Sequence, residues 1–101
     1  MASAVFTAAA SADLEEVYAY SLERWGEKQA DAYLDELRSG CDYAAAGAPS
    51  ATRLAHRSDG LLKLRRGSHL IVFKPVERGA LIVRVLHVRM DVEAGLPEQF
   101  S

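Results

Sequence analysis

The sequence is short of the residues that build covalent frameworks: its 101 residues include one cysteine, Cys41, and three prolines. A lone cysteine forms no internal disulfide and no metal site by itself. Cys41 stands where a helix wants an apolar residue, so it reads as a packed core thiol. Long hydrophobic runs are missing as well. The longest, Leu81 to Val88, is interrupted by Arg84 and His87 and falls far below the roughly 20 residues of a membrane helix, so no membrane association is expected. Met1 to Ala12 lacks a basic segment followed by a leucine-rich stretch, which argues against a signal peptide and for the cytoplasm.

Catalytic signatures are equally scarce. His56, His69 and His87 match neither HExxH nor a Cys/His zinc spacing, and no GxSxG, P-loop or GxGxxG is present. Gly26, Gly40 and Gly47 are too dispersed to cradle a phosphate. No metal, cofactor or nucleotide is therefore expected. Glu15, Glu16 and Glu23 belong to the outer face of a helix, where paired carboxylates serve solvation. Metal-free phosphodiester cleavage needs a base, an acid and cations, and Lys63, Arg65, His69, Arg84, His87 and Arg89 lie on strands that can share a sheet. The same alternation of Lys and Arg also describes a solvated face, and the residues alone leave that choice open.

With 50% hydrophobic and 26% charged residues, the chain falls in the globular range, as one domain over residues 1–101. A chain of this size hides only about 60–70% of its unfolded surface, so a large apolar patch left over should have a partner. The net charge of −2 conceals a division. Residues 1–47 carry three bases against nine acids, and residues 48–101 carry nine bases against five acids. A basic C-terminal half can meet an acidic polypeptide or a nucleic acid, or the two halves can simply attract each other.

Ala4 to Thr7 reads as a strand entering a helix, with Thr7 as its N-cap. Leu14, Val17, Tyr18, Leu22 and Trp25 form one helical stripe that Gly26 ends as a left-handed residue; Ala30, Tyr33, Leu34, Leu37, Cys41, Ala44 and Ala45 form a second. Gly47 to Thr52 is a loop, Arg53 to Ser58 is irregular, and Asp59-Gly60 is a turn. The period then changes to two: Leu62 and Leu64 alternate with Lys63 and Arg65, Gly67-Ser68 makes a hairpin turn, His69 to Lys74 returns, and Pro75 to Gly79 turns into Ala80 to Val88. Residues 90–101 are a polar C-terminal tail. The fold class is α+β, β-α-α-β-β-β, a helix hairpin on a largely antiparallel four-stranded sheet. Strict alternation sends Leu81, Val83 and Val85 to one face of the last strand and Ile82, Leu86 and Val88 to the other. Helices can cover only one of those faces. The other is expected to be an interaction surface rimmed by Arg and His, unless the tail folds back over it.

Ala12-Asp13-Leu14-Glu15-Glu16-Val17-Tyr18, Arg24-Trp25-Gly26, Gln29-Ala30 with Tyr33-Leu34, Leu64 to Phe73 and Arg84-Val85-Leu86-His87-Val88-Arg89-Met90-Asp91 together resemble a ParE-type toxin of the ParE/RelE toxin–antitoxin superfamily. The resemblance spans about residues 5–91 in the right order. It implies the same β-α-α-β-β-β fold with the last strand central. It also implies a plasmid-stabilising bacterial toxin that inhibits DNA gyrase, is neutralised in a hetero-oligomer by a ParD-like antitoxin folding on binding, and has no sequence-specific nucleic-acid contact of its own. On this resemblance, Arg84, His87, Arg89, Met90 and Asp91 are expected at the gyrase contact, and Trp25, Lys63, Arg65, Arg66, His69 and Phe73 at the antitoxin contact. The RelE branch cuts ribosome-bound mRNA with basic residues and a C-terminal tyrosine or histidine. Here Met90-Asp91 follows Arg89, and all four tyrosines (Tyr18, Tyr20, Tyr33, Tyr43) lie in the helical half, so no catalytic residue is carried over. Ribonuclease action through His69 or His87 beside Arg65 and Arg89, and a non-toxic partner of an antitoxin, stand as alternatives.

Overall fold

Thr7 is the pivot between strand and helix. Its backbone is extended, its hydroxyl oxygen accepts the Ala10 N–H at 3.0 Å, and the same hydroxyl donates to the Val83 carbonyl at 2.8 Å. In the computed structural model, which describes residues 3–54, 57 and 59–96, β1 (Ser3–Phe6) leads through Thr7 into α1 (Ala8–Trp25) and α2 (Glu27–Ala45). The strands β2 (Thr52–Arg53), β3 (Leu62–Arg66), β4 (His69–Val76) and β5 (Gly79–His87) follow, then a short 3-10 helix, Glu93–Gly95. The sheet has five strands in the order β1-β5-β4-β3-β2. Only β1 with β5 is parallel, and the two-residue β2 is the strand added to the four expected. His56 and residues 97–101 lie outside the described residues.

Gly26 alone separates the helices. It adopts φ 89° and ψ 171°, which is not the left-handed helical basin expected but an extended region with positive φ that is open essentially to glycine alone. One residue thus caps both helices: its N–H donates to Leu22 O, and its carbonyl accepts from Ala30 N, each at 3.0 Å.

The face of α1 that packs inward differs from the apolar stripe. Ala10, Asp13 and Ser21 are buried and Leu14 and Val17 half-buried, while Leu22 and Trp25 are exposed. Two polar residues hold inward positions, so hydrophobicity alone placed the stripe one step too far around the helix. Ala10, Leu37, Cys41, Ala44, Leu64, Ile71, Phe73, Ile82 and Val85 make the core between helices and sheet. Burial pushes the Cys41 thiol up to about 11, as befits a packed, inert sulfur.

Alternation along β5 also breaks. Val72 pairs with Arg84 and Phe73 with Ile82, which leaves Val83 as an extra residue in a bulge. Val85 consequently joins Ile82 in the core under the helices, and Val83 joins Leu81 and Leu86 on the opposite face. Strict alternation had put Val83 with Val85. Pro75 is another departure, since β4 runs straight through it. β3 has already ended opposite Phe73, so β4 is an edge on that side at Pro75, where proline is tolerated.

The face away from the helices is not left open. Leu54 and Leu61 from the β2–β3 connection, and Val92 and Leu96 from the C-terminal segment, pack on Val72, Val83 and Leu86. The interaction surface expected on this face is thus covered, and the exposed apolar residues are found elsewhere.

Candidate binding groove

Three of the exposed large apolar side chains, Tyr20, Trp25 and Met90, border a single groove of about 810 Å³. Its walls are the C-terminal half of α1, Tyr33 of α2, the β3–β4 turn and residues 84–90. Tyr20 and Trp25 meet edge to face with ring centroids 6.1 Å apart, and the Arg24 guanidinium lies 5.6 Å from the Tyr20 ring centre. One lip is therefore aromatic and cationic together.

At the head of the groove, β5 has outrun β1 and shows an unpaired edge. Asp13 reaches into it. Its carboxylate accepts the Val85 N–H at 2.9 Å and two bonds from Arg84, from Nε at 2.7 Å and Nη2 at 2.8 Å. Arg84 Nη1 donates onward to the Gly95 carbonyl at 2.7 Å. One fork-shaped cation thus ties α1, β5 and the C-terminal segment together, and the carboxylate holds the Arg84 pKa above its ordinary value.

The floor is built from Tyr33, His69 and His87. His69 and His87 face each other across the β4–β5 ladder with ring centroids 5.3 Å apart. The Tyr33 oxygen accepts the Ser68 N–H at 3.0 Å and lies 2.6 Å from His69 Nδ1. The Ser68 N–H already fills one lone pair of the phenol oxygen, so the assignment in which the Tyr33 O–H donates to Nδ1 gives every group of the trio its partner, and it places the His69 proton on Nε2. His87 is fixed the same way, because the Arg89 backbone N–H donates to its Nδ1 at 3.1 Å. Tyr33 needs Gly67 beside it: φ there is +55°, and an added Cβ would lie 2.6 Å from Tyr33 Cε1.

The comparisons with known proteins bear on this geometry. The family described as "ParE toxin of type II toxin-antitoxin system, parDE" matches residues 4–92. The chain is 40% identical over 89 residues to Toxin ParE1 of Mycobacterium tuberculosis, covering 87% of this chain and 91% of that one. The chain belongs to the ParE toxin family of type II toxin–antitoxin systems. Toxin ParE of Escherichia coli is 32% identical, with 100% of this chain and 99% of that one covered. Toxin ParE1 of Caulobacter vibrioides is also 32% identical, over 86% and 90%. A solved structure titled "Chromosomal ParDE TA system from P. aeruginosa" shares the fold, with TM-score 0.69 at 19% identity over 86% of this chain and 96% of that one.

Of the residues singled out in this ParE-family sequence, Trp25, Arg65, His69, Arg84, His87, Arg89 and Met90 all line the groove. Members of both expected contact sets therefore share one surface. Phe73 does not belong to it: it is 1% exposed in the core and offers nothing to a partner. Arg66 turns toward the other end of α2, its guanidinium 5.2 Å from the Tyr43 ring centre. Lys63 pairs with Val72 on the sheet and Asp91 is exposed; neither lines the groove. Arg84 lines it with its guanidinium already engaged by Asp13 and Gly95. Sequence reading missed Tyr20, Arg24 and Tyr33. The i, i+4 spacing of Tyr20 and Arg24 was the available signal, whereas nothing local marks Tyr33, which meets His69 only through the fold.

Burial, with a smaller push from His87, lowers the His69 pKa below its ordinary 6.5, against an opposing pull from Asp13. The unfolded chain therefore binds the extra proton first as pH falls, so this residue's contribution to stability is lost from about pH 6.5 down to the lowered folded value. The urea midpoint should fall between pH 7.5 and 5. In His69→Leu that slope should be shallower; an identical slope in both proteins would remove His69 from the account.

Proposed function

We propose that this ParE-family toxin acts in the cytoplasm by binding DNA gyrase, without chemistry of its own, and is held inactive in a hetero-oligomer by a ParD-type antitoxin. The observation that carries the reading is the groove itself. It joins exposed Tyr20, Trp25 and Met90 to Arg24, Arg65 and Arg89, a combination suited to an amphipathic acidic segment that orders as it docks. Such segments anchor through a few large side chains.

Purified gyrase with ATP and relaxed plasmid, mixed with toxin released from its antitoxin, should lose supercoiling and trap linear DNA, and antitoxin should restore supercoiling. Trp25→Ala should weaken antitoxin binding by about 2 kcal/mol, roughly 30-fold, with an unchanged thermal melt. Binding as tight as the parent's would move the antitoxin elsewhere. The gyrase arm uses Arg89→Ala with Met90→Ala and not removal of the segment from Met90 onward, because Val92 and Leu96 belong to the second core.

Ribosome-dependent mRNA cleavage is a second reading, favoured by the meeting of Tyr33, His69 and His87 with Arg65 and Arg89 in one groove. A folded protein inert toward gyrase that cuts mRNA on ribosomes would replace the first reading with this one. Antitoxin binding with no growth arrest would mark a non-toxic partner.

A further inference from the structure

The floor of the groove has a chemical polarity that its walls do not. In both His69 and His87, Nδ1 is occupied as an acceptor, by the Tyr33 hydroxyl and the Arg89 N–H respectively, so each ring carries its proton on Nε2. Neither Nε2 has a hydrogen-bond partner among the described residues. No buried side-chain nitrogen or oxygen there lacks one, so both Nε2–H groups meet solvent. The rings are held cross-strand, 5.3 Å apart, and both line the groove. Two solvent-facing donors are thus carried on neighbouring rings that stand edge to face at 78°.

We propose that the His69 and His87 Nε2–H groups form a carboxylate-binding subsite that takes an Asp or Glu side chain of a polypeptide docked in the groove. The inference rests on the docking reading above and names the contact at its floor. A carboxylate has two acceptor oxygens to meet two donors. Arg24, Arg65 and Arg89 supply positive potential around it, while Arg84 is already neutralised by Asp13. Asp13 and Glu16 also line the groove. They disfavour a nucleic-acid backbone, which brings a negative charge at every step, more than a segment that brings one carboxylate to one place. Tyr33 is a positioning residue: it touches no ligand and sets which nitrogen of His69 bears the proton.

The test uses the full chain labelled with nitrogen-15, at pH 7.5, followed by long-range proton–nitrogen NMR of the imidazoles. The probe is N-acetylglutamate N-methylamide, with N-acetylglutamine N-methylamide as the neutral control and the dinucleotide UpU as a phosphodiester. Before addition, both rings should show the Nε2–H tautomer. The glutamate probe should move both Nε2 signals saturably and the glutamine control should not. His87→Leu should weaken the response about tenfold, the lower worth of a charge-assisted hydrogen bond. Tyr33→Phe should give a mixed His69 tautomer and weaker binding with the remaining spectrum preserved. An Nδ1–H tautomer in either ring, or an equal response to the glutamine control, overturns the proposal. A response to UpU without one to glutamate also overturns it and assigns the floor to phosphodiesters. Because the probe is no antitoxin, failure here leaves groove docking standing, and loss of groove docking with a saturable glutamate response leaves the subsite standing.

Discussion

Phe73→Ala is expected to cost about 3–5 kcal/mol, the range for removing a fully buried phenylalanine and leaving a cavity behind. Phe73 is 1% exposed in the middle strand, paired with Leu62 on one side and Ile82 on the other, next to the bulge that sets the course of β5. Its side chain fills the core between the helices and the sheet, and the close packing of that layer leaves little relaxation to offset the loss. A domain of this size holds only about 5–15 kcal/mol in all. The urea midpoint should therefore collapse, and any loss of toxicity or antitoxin binding should follow the fraction unfolded. A variant that melts like the parent but no longer binds antitoxin would return Phe73 to the contact surface.

Asp13→Ala should cost about 2–4 kcal/mol. Breaking a buried ion pair by deleting one partner costs about 3–5 kcal/mol, and the range is lowered here because the Arg84 side chain keeps 26% of its exposure. Three donors lose their acceptor at once: the Val85 N–H and two nitrogens of Arg84. At about 4–8 °C per kcal/mol for a domain of this length, the melting temperature should drop by at least about 8 °C. A second readout separates this from generic destabilisation. Arg84 also holds the Gly95 carbonyl, so amide exchange at 93–96 should accelerate more than amide exchange in β4. Arg84→Ala combined with Asp13→Ala should cost less than the two single changes added together, since the pair fails as a unit. Strict additivity would deny the coupling.

Much of the architecture was legible because local rules agreed with the fold. Thr7 as a cap, the Gly26 junction, the hairpin turn at Gly67 and the order of elements all follow from residue type and period. The rest failed for physical reasons. Alternation cannot reveal an extra residue in a strand, so Val83 sent Val85 and Leu86 to the faces opposite those expected. Asp13 and Ser21 hold core positions on α1, so a search for apolar residues set the helix face around Leu22 and Trp25, which are exposed. Leu96 closes the far face of the sheet from a segment whose composition reads as polar. Trp25, Arg65, His69, His87 and Arg89 were recognisable as residues of interest, but their meeting in one groove depends on contacts across large sequence separations, such as that of Tyr33 with His69.

The parallel pairing of β1 stops at Phe6, where a sheet edge would ordinarily invite another chain to continue it. The next outward-facing groups of β5 are instead taken by side chains: the Val83 carbonyl by the Thr7 hydroxyl and the Val85 N–H by the Asp13 carboxylate. Recruitment of a foreign strand along this stretch would have to evict both, and with Asp13 would go the anchor of Arg84. Backbone addition along this stretch is thereby disfavoured for a foreign strand and for a second copy of the toxin alike.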